Sequence, residues 1–391
     1  MIKAAIIGAG TIARQHLGCL KSLKNVRIAA VCDLSPAAAE SAAERFDVPE
    51  WFTDHNQMLQ QIRPDVAHVT TPVTTHYALA ADALDYGCHT IVEKPITTSL
   101  EQLGQLCERA HRANRVLVED HNYLFNRTIQ KIVQLLASGQ MGPVVHVEAA
   151  ICLDLTAPGS PFTDPNLAHP SVALAGGAVG DFLTHLCYFV PAFLGPHRRV
   201  RTVWTNHHAG SSLPYDHMDA LVETERGTAA LSFHGHVQPE AFWVRVTTDR
   251  MRAEAHLFEP RLTVERLHSG PRPLTPLLNG FDIARSAAGG AVAGLWRKLS
   301  PGPGSYEGLW ELLRRTYAAI DTGGNAPVSI EQIREVNRLV HDLARGAGDL
   351  SDASSDTTDE HLHRGLHRTA TVKTATAAAA PHSAVRGQVG A

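Results

Sequence analysis

The 391-residue chain has six cysteines, Cys19, Cys32, Cys88, Cys107, Cys152 and Cys187, and none stands in a CxxC pair. Their scatter argues against a disulfide framework and against a structural zinc centre. Apolar runs near the eighteen or so residues that span a bilayer are also missing. No basic run occurs, and the formal net charge is −4, so nucleic acid and anionic membrane are poor partners. The opening "MIKAAIIGAGTIARQH" has the short apolar stretch of a signal peptide, but glycines interrupt it and Arg14 ends it. The reading is a cytoplasmic chain. What is present, 44% hydrophobic and 19% charged residues, is ordinary for a globular enzyme. The length exceeds one ordinary core and implies two domains.

From residue 3 to about 120, short runs rich in Val and Ile alternate with amphipathic stretches such as 36–46 and 99–113. The runs are "KAAIIG", "RIAAVCD", "DVAHVTTP", "CHTIVEKP" and "RVLVEDH". That rhythm implies βαβ units, hence an α/β fold with a doubly wound parallel sheet covered by helices on both faces. "LFNRTIQKIVQLLASGQMG" reads as a bridging helix ending at Gly139. Beyond Gly142 come strand-like pieces, "VVHVEAAICL", "VRTVWTNHH", "DALVETERGTAALSFHGH", "FWVRVTT", "RAEAHLF" and "RLTVERL". Several alternate apolar and polar residues, and "ERG" is a hairpin signal, so a mostly antiparallel open sheet is expected, with one wet or partner-covered face. Helices over 306–321 and 329–345 close this α+β part. From Gly346 the chain turns to Ser, Thr, Asp, Ala and His, and reads as a disordered tail. The expected divisions are 1–122, 123–345 and 346–391.

"AAIIGAGTIARQH" places Gly8-x-Gly10-x-x-Ala13 between a strand and a helix. Gly8 makes the tight turn, Gly10 lets the backbone approach a pyrophosphate, and Ala13 lets helix and strand pack closely. The helix N-terminus, starting at Thr11 and Ile12, offers free N–H groups and a positive dipole to phosphates. Asp33 ends the second run, twenty residues beyond Ala13 (33 − 13), where an acid meets ribose hydroxyls. It could instead cap the following helix. An acid there repels a 2′-phosphate, and Leu34, Ser35 and Pro36 bring no arginine, so NAD is favoured over NADP.

These pieces, with "DVAHVTTPVTTHYALAADAL", "GCHTIVEKPITTSLEQ", "HNYLFN" and "GGAVGDFLTHLCYFVPAFLG", resemble the family of glucose–fructose oxidoreductase and inositol dehydrogenase, Gfo/Idh/MocA. The resemblance runs through residues 1 to about 345. It implies a nucleotide domain, a C-terminal open-sheet domain, and a homodimer or homotetramer packed through that sheet. It further implies NAD(P)-dependent oxidation or reduction of a sugar, polyol or nucleotide-sugar hydroxyl. Rival readings are an NAD-using glycosidase of the same family and a sensor that keeps the fold without catalysis.

By the same resemblance Glu93 and Lys94 leave a strand end at the cofactor, with Pro95 shaping the turn. Lys94 reaches the substrate oxygen, where an ammonium steers the proton and stabilises a developing alkoxide. Thr71, Pro72 and His76 line the cofactor, although His76 equally reads as an exposed residue at a helix start. Asp181 and His185, spaced i, i+4, share a helix face and suit an orienting carboxylate and an imidazole base. Asn122 and Tyr123 face the substrate. Leu124 stands where this family often has arginine, and Arg127 where it often has proline. His234 and His236 in "SFHGHV" read as sharing one strand face, and His207 and His208 are adjacent. No metal site is expected from either pair.

Overall fold

The computed structural model describes residues 1–157, 160, 162, 171, 174–207, 213–266, 268, 271–299 and 304–353. The N-terminal alternation forms six strands: β1 (Ile2–Ile7), β2 (Val26–Cys32), β3 (Glu50–Phe52), β4 (Val66–Val69), β5 (His89–Val92) and β6 (Leu117–Glu119). They lie in the order β3-β2-β1-β4-β5-β6, and every ladder is parallel. Ala4, Ala5, Ile6, Val66, Ala67 and Ile91 are fully buried, as expected where helices cover both faces of a sheet. β3 has only three residues, too few for a period to register in the sequence.

The crossover helices are α1 (Thr11–Ser22), α2 (Pro36–Phe46), α3 (His55–Ile62), α4 (Val73–Asp85) and α5 (Leu100–Ala113). Ser35, Asp54 and Ser99 cap α2, α3 and α5 by accepting backbone N–H bonds. α1 and α4 begin at Gly10 and Pro72 with no side-chain cap. Both start at the point between β1 and β4 where the chain order reverses, and there the strand ends open a crevice. The two uncapped helices therefore present free N–H groups where a ligand binds in such sheets.

A short 3-10 turn (Asn122–Phe125) and α6 (Arg127–Ala137) lead to the second sheet. Its strands are β7 (Val144–Asp154), β8 (His197–Thr205), β9 (His217–Thr224), β10 (Thr228–His234), β11 (His236–Thr248), β12 (Met251–His256) and β13 (Arg261–Arg266). The order is β13-β12-β11-β7-β10-β9-β8. β7 and β10 run parallel, and the other five ladders are antiparallel. Met218, Ala220, Val222, Phe233 and Val244 point inward onto α7 (Ala178–Cys187), α8 (Phe189–Leu194) and α11 (Ile330–Ala353). The opposite face carries Val203, Leu221, Arg245 and Glu254, with Leu221 63% exposed. Glu225-Arg226-Gly227 turns β9 into β10, as its composition implied.

Three differences from the sequence reading have physical causes. His234 and His236 do not lie on one strand: the chain turns at Gly235 between β10 and β11, and both rings border His217, with centroids 5.2 and 6.4 Å away. The pair His207–His208 falls partly outside the described residues. Helix α9 (Thr275–Leu299) packs on β13 with Phe281 66% exposed, a mixed face that hid its period. The last helix does not stop at 345. Gly346 lies so close to Thr202 that a Cβ would clash, and the carbonyl of buried Ala347 accepts the Tyr215 hydroxyl at 2.6 Å. These contacts carry α11 on to Ala353, and the rest of the expected tail, 354–391, lies outside the described residues. Among the described residues no helix is long and apolar enough to cross a membrane.

Candidate active site

The glycine turn is held from three sides. Gly8 has φ +100°, and a Cβ there would lie 2.8 Å from the Thr70 carbonyl oxygen. Its N–H donates to Cys32 O at 2.7 Å, and the Thr70 hydroxyl donates to Gly8 O at 2.8 Å. Only glycine relieves that contact at that φ. At Gly10 a Cβ would meet nothing within 4 Å, so the backbone there borders open space. Asp33 accepts the N–H of Ala9 at 2.8 Å and of Ser35 at 2.9 Å. It is not the cap of α2, a task performed by Ser35. A fixed carboxylate beside a glycine turn and an uncapped helix start suits a dinucleotide. The glycine turn and Asp33 are thus joined through Ala9, and Thr11 and Ile12 open the helix that follows.

Across the crevice, Thr71 and Pro72 precede α4. His76 is buried, not exposed as one reading of its helix-start position implied. Its Nδ1 meets Pro95 O at 2.8 Å and its Nε2 meets Thr71 O at 2.7 Å, so it ties the loop after β4 to the loop after β5. The Lys94–Pro95 peptide is cis.

Lys94 Nζ donates to Asp181 O at 2.9 Å and to Asp181 Oδ1 at 3.0 Å, and stands 5.9 Å from the centre of the Phe182 ring. Asp181 lies in the first turn of α7 and His185 one turn on. The His185 ring is buried against the edge of Tyr123, with centroids 5.0 Å apart. Its Nδ1 sits 3.4 Å from Tyr188 Oη. Burial first, then the charges of Lys94 and His121, hold the imidazole well below its ordinary protonation range. Lys94, Asp181, His185 and Tyr123 are thereby brought together from three chain segments, the loop after β5, α7 and the 3-10 turn. Asn122 stays at the start of the 3-10 turn, its Oδ1 accepting the Tyr123 N–H at 2.8 Å.

Beneath Lys94 lies a buried polar chain that the sequence reading passed over. Glu93 Oε1 is 3.0 Å from His16 Nε2, His16 Nδ1 is 2.8 Å from His68 Nδ1, and His68 Nε2 is 2.8 Å from Tyr317 Oη. The last belongs to α10 (Glu307–Thr322). Burial pushes Glu93 up, but the bond and charge of His16, then Lys94 and His76, outweigh it and leave the carboxyl below its ordinary range. Burial first, then the His16 ring, hold His68 well below its own. One proton assignment then satisfies every link: Tyr317 donates to His68, His68 to His16 and His16 to Glu93. Glu119 is also enclosed, accepting Ile96 N–H, Asn337 Nδ2 and the His121 ring. The available signal was a histidine inside the apolar run "VAHV", because a buried polar group needs a partner.

The profile described as "Oxidoreductase family, NAD-binding Rossmann fold" matches residues 2–121, and the "GFO/IDH/MocA C-terminal domain" matches 129–253. D-glucoside 3-dehydrogenase of Escherichia coli (strain K12) is 29% identical over 187 residues, 47% of this chain and 52% of that protein. The match therefore spans about half of that relative's length. D-xylose 1-dehydrogenase (NADP(+)) 2 of Haloferax volcanii is 27% identical over 233 residues, 58% of this chain and 67% of that protein. Among solved structures, the WlbA dehydrogenase from Bordetella pertussis, in complex with NADH and UDP-GlcNAcA, superposes with a TM-score of 0.70 at 16% identity. That superposition covers 89% of this chain and 96% of that one, and at this identity it speaks for the fold.

Proposed function

The chain belongs to the Gfo/Idh/MocA oxidoreductase family, and from that premise we propose that it is an NAD-dependent dehydrogenase of a secondary hydroxyl on a sugar-like substrate. The observation that carries the reading is the convergence of Lys94, Asp181 and His185 at the mouth of the crevice. When bound, NAD supplies the hydride acceptor. Gly8, Gly10, Thr11 and Ile12 would hold its phosphates, Asp33 its ribose hydroxyls, and Thr71, Pro72 and the Glu93–Lys94 strand end its other half. Asp33 favours NAD over NADP because a 2′-phosphate meets like charge there.

The chain's own groups handle the proton. His185, kept neutral by burial and by Lys94, is the base for the hydroxyl proton at neutral pH. Among the described residues its Nε2 has no hydrogen bond, while Nδ1 faces Tyr188. The Lys94 ammonium offsets negative charge growing on the substrate oxygen. Asp181 fixes the ammonium and carries His185 on the same helix face. Tyr123 and Asn122 bound the substrate side. The outward face of the second sheet is the surface for a homodimer or homotetramer.

The test is a panel of sugars, polyols and nucleotide sugars with purified protein, NAD and NADP side by side, read by NADH absorbance. Turnover with NAD on at least one sugar-like alcohol is expected. Release of free sugar from a glycoside without net NADH would replace this reading by the glycosidase one, and nucleotide binding without turnover by the sensor one.

A further inference from the structure

The Glu93–His16 contact has a third member, Asp120. All three side chains are buried, and ligand-type atoms of the three lie within 4.8 Å of one another. His16 Nε2 and Glu93 Oε1 are already 3.0 Å apart. Asp120, 1% exposed, keeps Oδ1 buried without a hydrogen-bond partner among the described residues. Two acidic side chains so placed need positive charge, and the adjacent ammonium is committed elsewhere: Lys94 Nζ donates to the carbonyl and the carboxylate of Asp181. A carboxylate without solvent or counter-charge is costly, and a buried oxygen without a partner is explained most directly by an ion or a water.

We propose that His16, Glu93 and Asp120 form a binding site for one divalent cation of the zinc class. One imidazole and two carboxylates are ligands such ions take, and the two carboxylates balance the double charge. Oxygen ligands alone would suit magnesium or calcium, and the imidazole moves the preference to zinc. Around an ion that holds its ligands at about 2.1 Å, tetrahedral neighbours stand about 3.4 Å apart. The His16–Glu93 pair is close to that spacing, and Asp120 has what remains of the 4.8 Å to close. Three protein ligands leave a fourth position for water.

The surroundings hold these ligands as an ion requires. Glu93 follows β5 and its N–H donates to Val69 O at 3.0 Å; Asp120 follows β6 and its N–H donates to Val92 O at 2.9 Å. Both ligand-bearing strand ends are thus fixed by their neighbours in the sheet. The other His16 nitrogen meets His68 Nδ1 at 2.8 Å, and His68 Nε2 meets Tyr317 Oη at 2.8 Å. A metal-bound imidazole gives its remaining N–H to such a partner. With the ion in place the protons of this chain run outward, from His16 to His68 and from His68 to Tyr317, which leaves His16 Nε2 bare for the ion. The ion ties α1 to the ends of β5 and β6, one residue before Lys94. It is a structural and positioning ion, and the assignment does not depend on what the crevice turns over.

The test uses the full chain without an affinity tag, stripped with a chelator, refilled with zinc and read by elemental analysis. One zinc per chain is expected. Asp120→Asn should lose at least about 100-fold in zinc affinity, and Tyr317→Phe, one shell further out, about 10-fold. The refilled wild type should melt at a higher temperature than the stripped form, and that difference should vanish in D120N. His217→Ala, in the separate histidine group at the start of β9, should keep the ion. X-ray absorption at the zinc edge of the wild type should show one imidazole and at least two oxygen ligands at about 2.0–2.2 Å, a readout that needs no variant to fold.

Failure of the wild type to retain zinc overturns the site. So does zinc that persists at full affinity in D120N, or that is lost in His217→Ala. An absorption spectrum with two or more imidazoles also overturns it, and would put the ion near His217, where the His207 and His234 rings lie 4.8 and 5.2 Å away. None of these measurements needs a substrate, so failure of the ion site and failure of the dehydrogenase reading are told apart.

Discussion

Two histidine networks of similar make-up, each built around a buried ring, sit in different parts of the chain and are finished to different degrees. At the edge of the second sheet, His197 places Nδ1 2.6 Å from Glu335 Oε1 and Nε2 2.9 Å from Asp342 Oδ2. Its backbone N–H also donates to Glu335, and its carbonyl accepts Arg338. Every polar atom named there has a partner. Beneath Lys94, by contrast, Asp120 Oδ1 and His121 Nδ1 are buried with none. Buried polar groups are nearly always satisfied, and each exception needs a reason. The complete network holds α11 on the sheet; the incomplete one keeps hydrogen-bonding capacity in reserve next to Lys94. Similar chemistry therefore marks stability in one place and chemistry in the other, and the difference lies in the unpaired atoms.

The sharpest way to break this comparison is to remove the groups above the incomplete network. His185→Ala should lower kcat by about 10²–10⁴-fold, the range of a positioned general base. Lys94→Ala should cost at least as much. The double variant should fall well short of the product of the two, because both serve one proton-handling task. NAD affinity should barely change in any of them. Wild-type kcat in the oxidation direction should drop on the acid side below the ordinary histidine range, since His185 is held neutral to lower pH. Near-normal turnover in either single variant would sink the mechanism while leaving the fold untouched.

The converse holds for the finished network. His197→Ala leaves Glu335 and Asp342 without their shared hydrogen-bond partner, and should cost about 1–2 kcal/mol of stability. Thermal unfolding would read this, while kcat and NAD affinity at a temperature well below the transition should match the wild type. Lost activity without lost stability would reverse the assignment of the two networks.

Which of these features a sequence discloses depends on how far apart the partners are in the chain. Gly8, Gly10, Ala13 and Asp33 lie within one βαβ unit, where local spacing fixes geometry, and so they were legible. Asp181 and His185 were legible because a helix puts i and i+4 on one face. His16 and His68 are 52 residues apart, and His68 and Tyr317 are 249 apart, so no local period ties them together. His76 was ambiguous because its burial comes from carbonyls on two separate loops. The end of α11 was hidden for the same reason: Gly346 signals a helix stop locally, and contacts with Thr202 and Tyr215 override it.

Asp33 sits between the two kinds of network, because both its oxygens already hold backbone N–H groups and yet it borders the crevice. Asp33→Ala should weaken NAD binding by about 1–3 kcal/mol, the worth of a hydrogen bond to a charged group. It should also narrow the preference over NADP, since the like charge is gone. Calorimetry with both nucleotides checks this. Equal NADP affinity in the wild type would overturn the cofactor assignment.

The smallest effect is expected from a third network, on the outward face of the second sheet. Arg245 there bridges Glu148 at 2.9 Å and Glu254 at 2.6 Å, and His256 adds a contact to Glu254 at 2.8 Å. The His256 bond first, then Arg245 against the opposing pull of burial, bring the Glu254 carboxyl down to about 2. A carboxyl held lower in the folded state than in the unfolded chain stabilises above the unfolded value, and that stability is lost as pH falls through the folded one. The window therefore runs from about 4.5 down to about 2. Water reaches this face in a single chain, so the contribution should be on the order of 1 kcal/mol. Glu254→Gln should flatten the decline of melting temperature over that window and leave pH 7 kinetics alone. If the same face packs against a second copy, the pair is further desolvated in the assembly, and the effect of E254Q should grow with protein concentration. A slope unchanged by E254Q at every concentration would move the acid sensitivity to Glu335 and Asp342, and would leave this face without an electrostatic role in assembly.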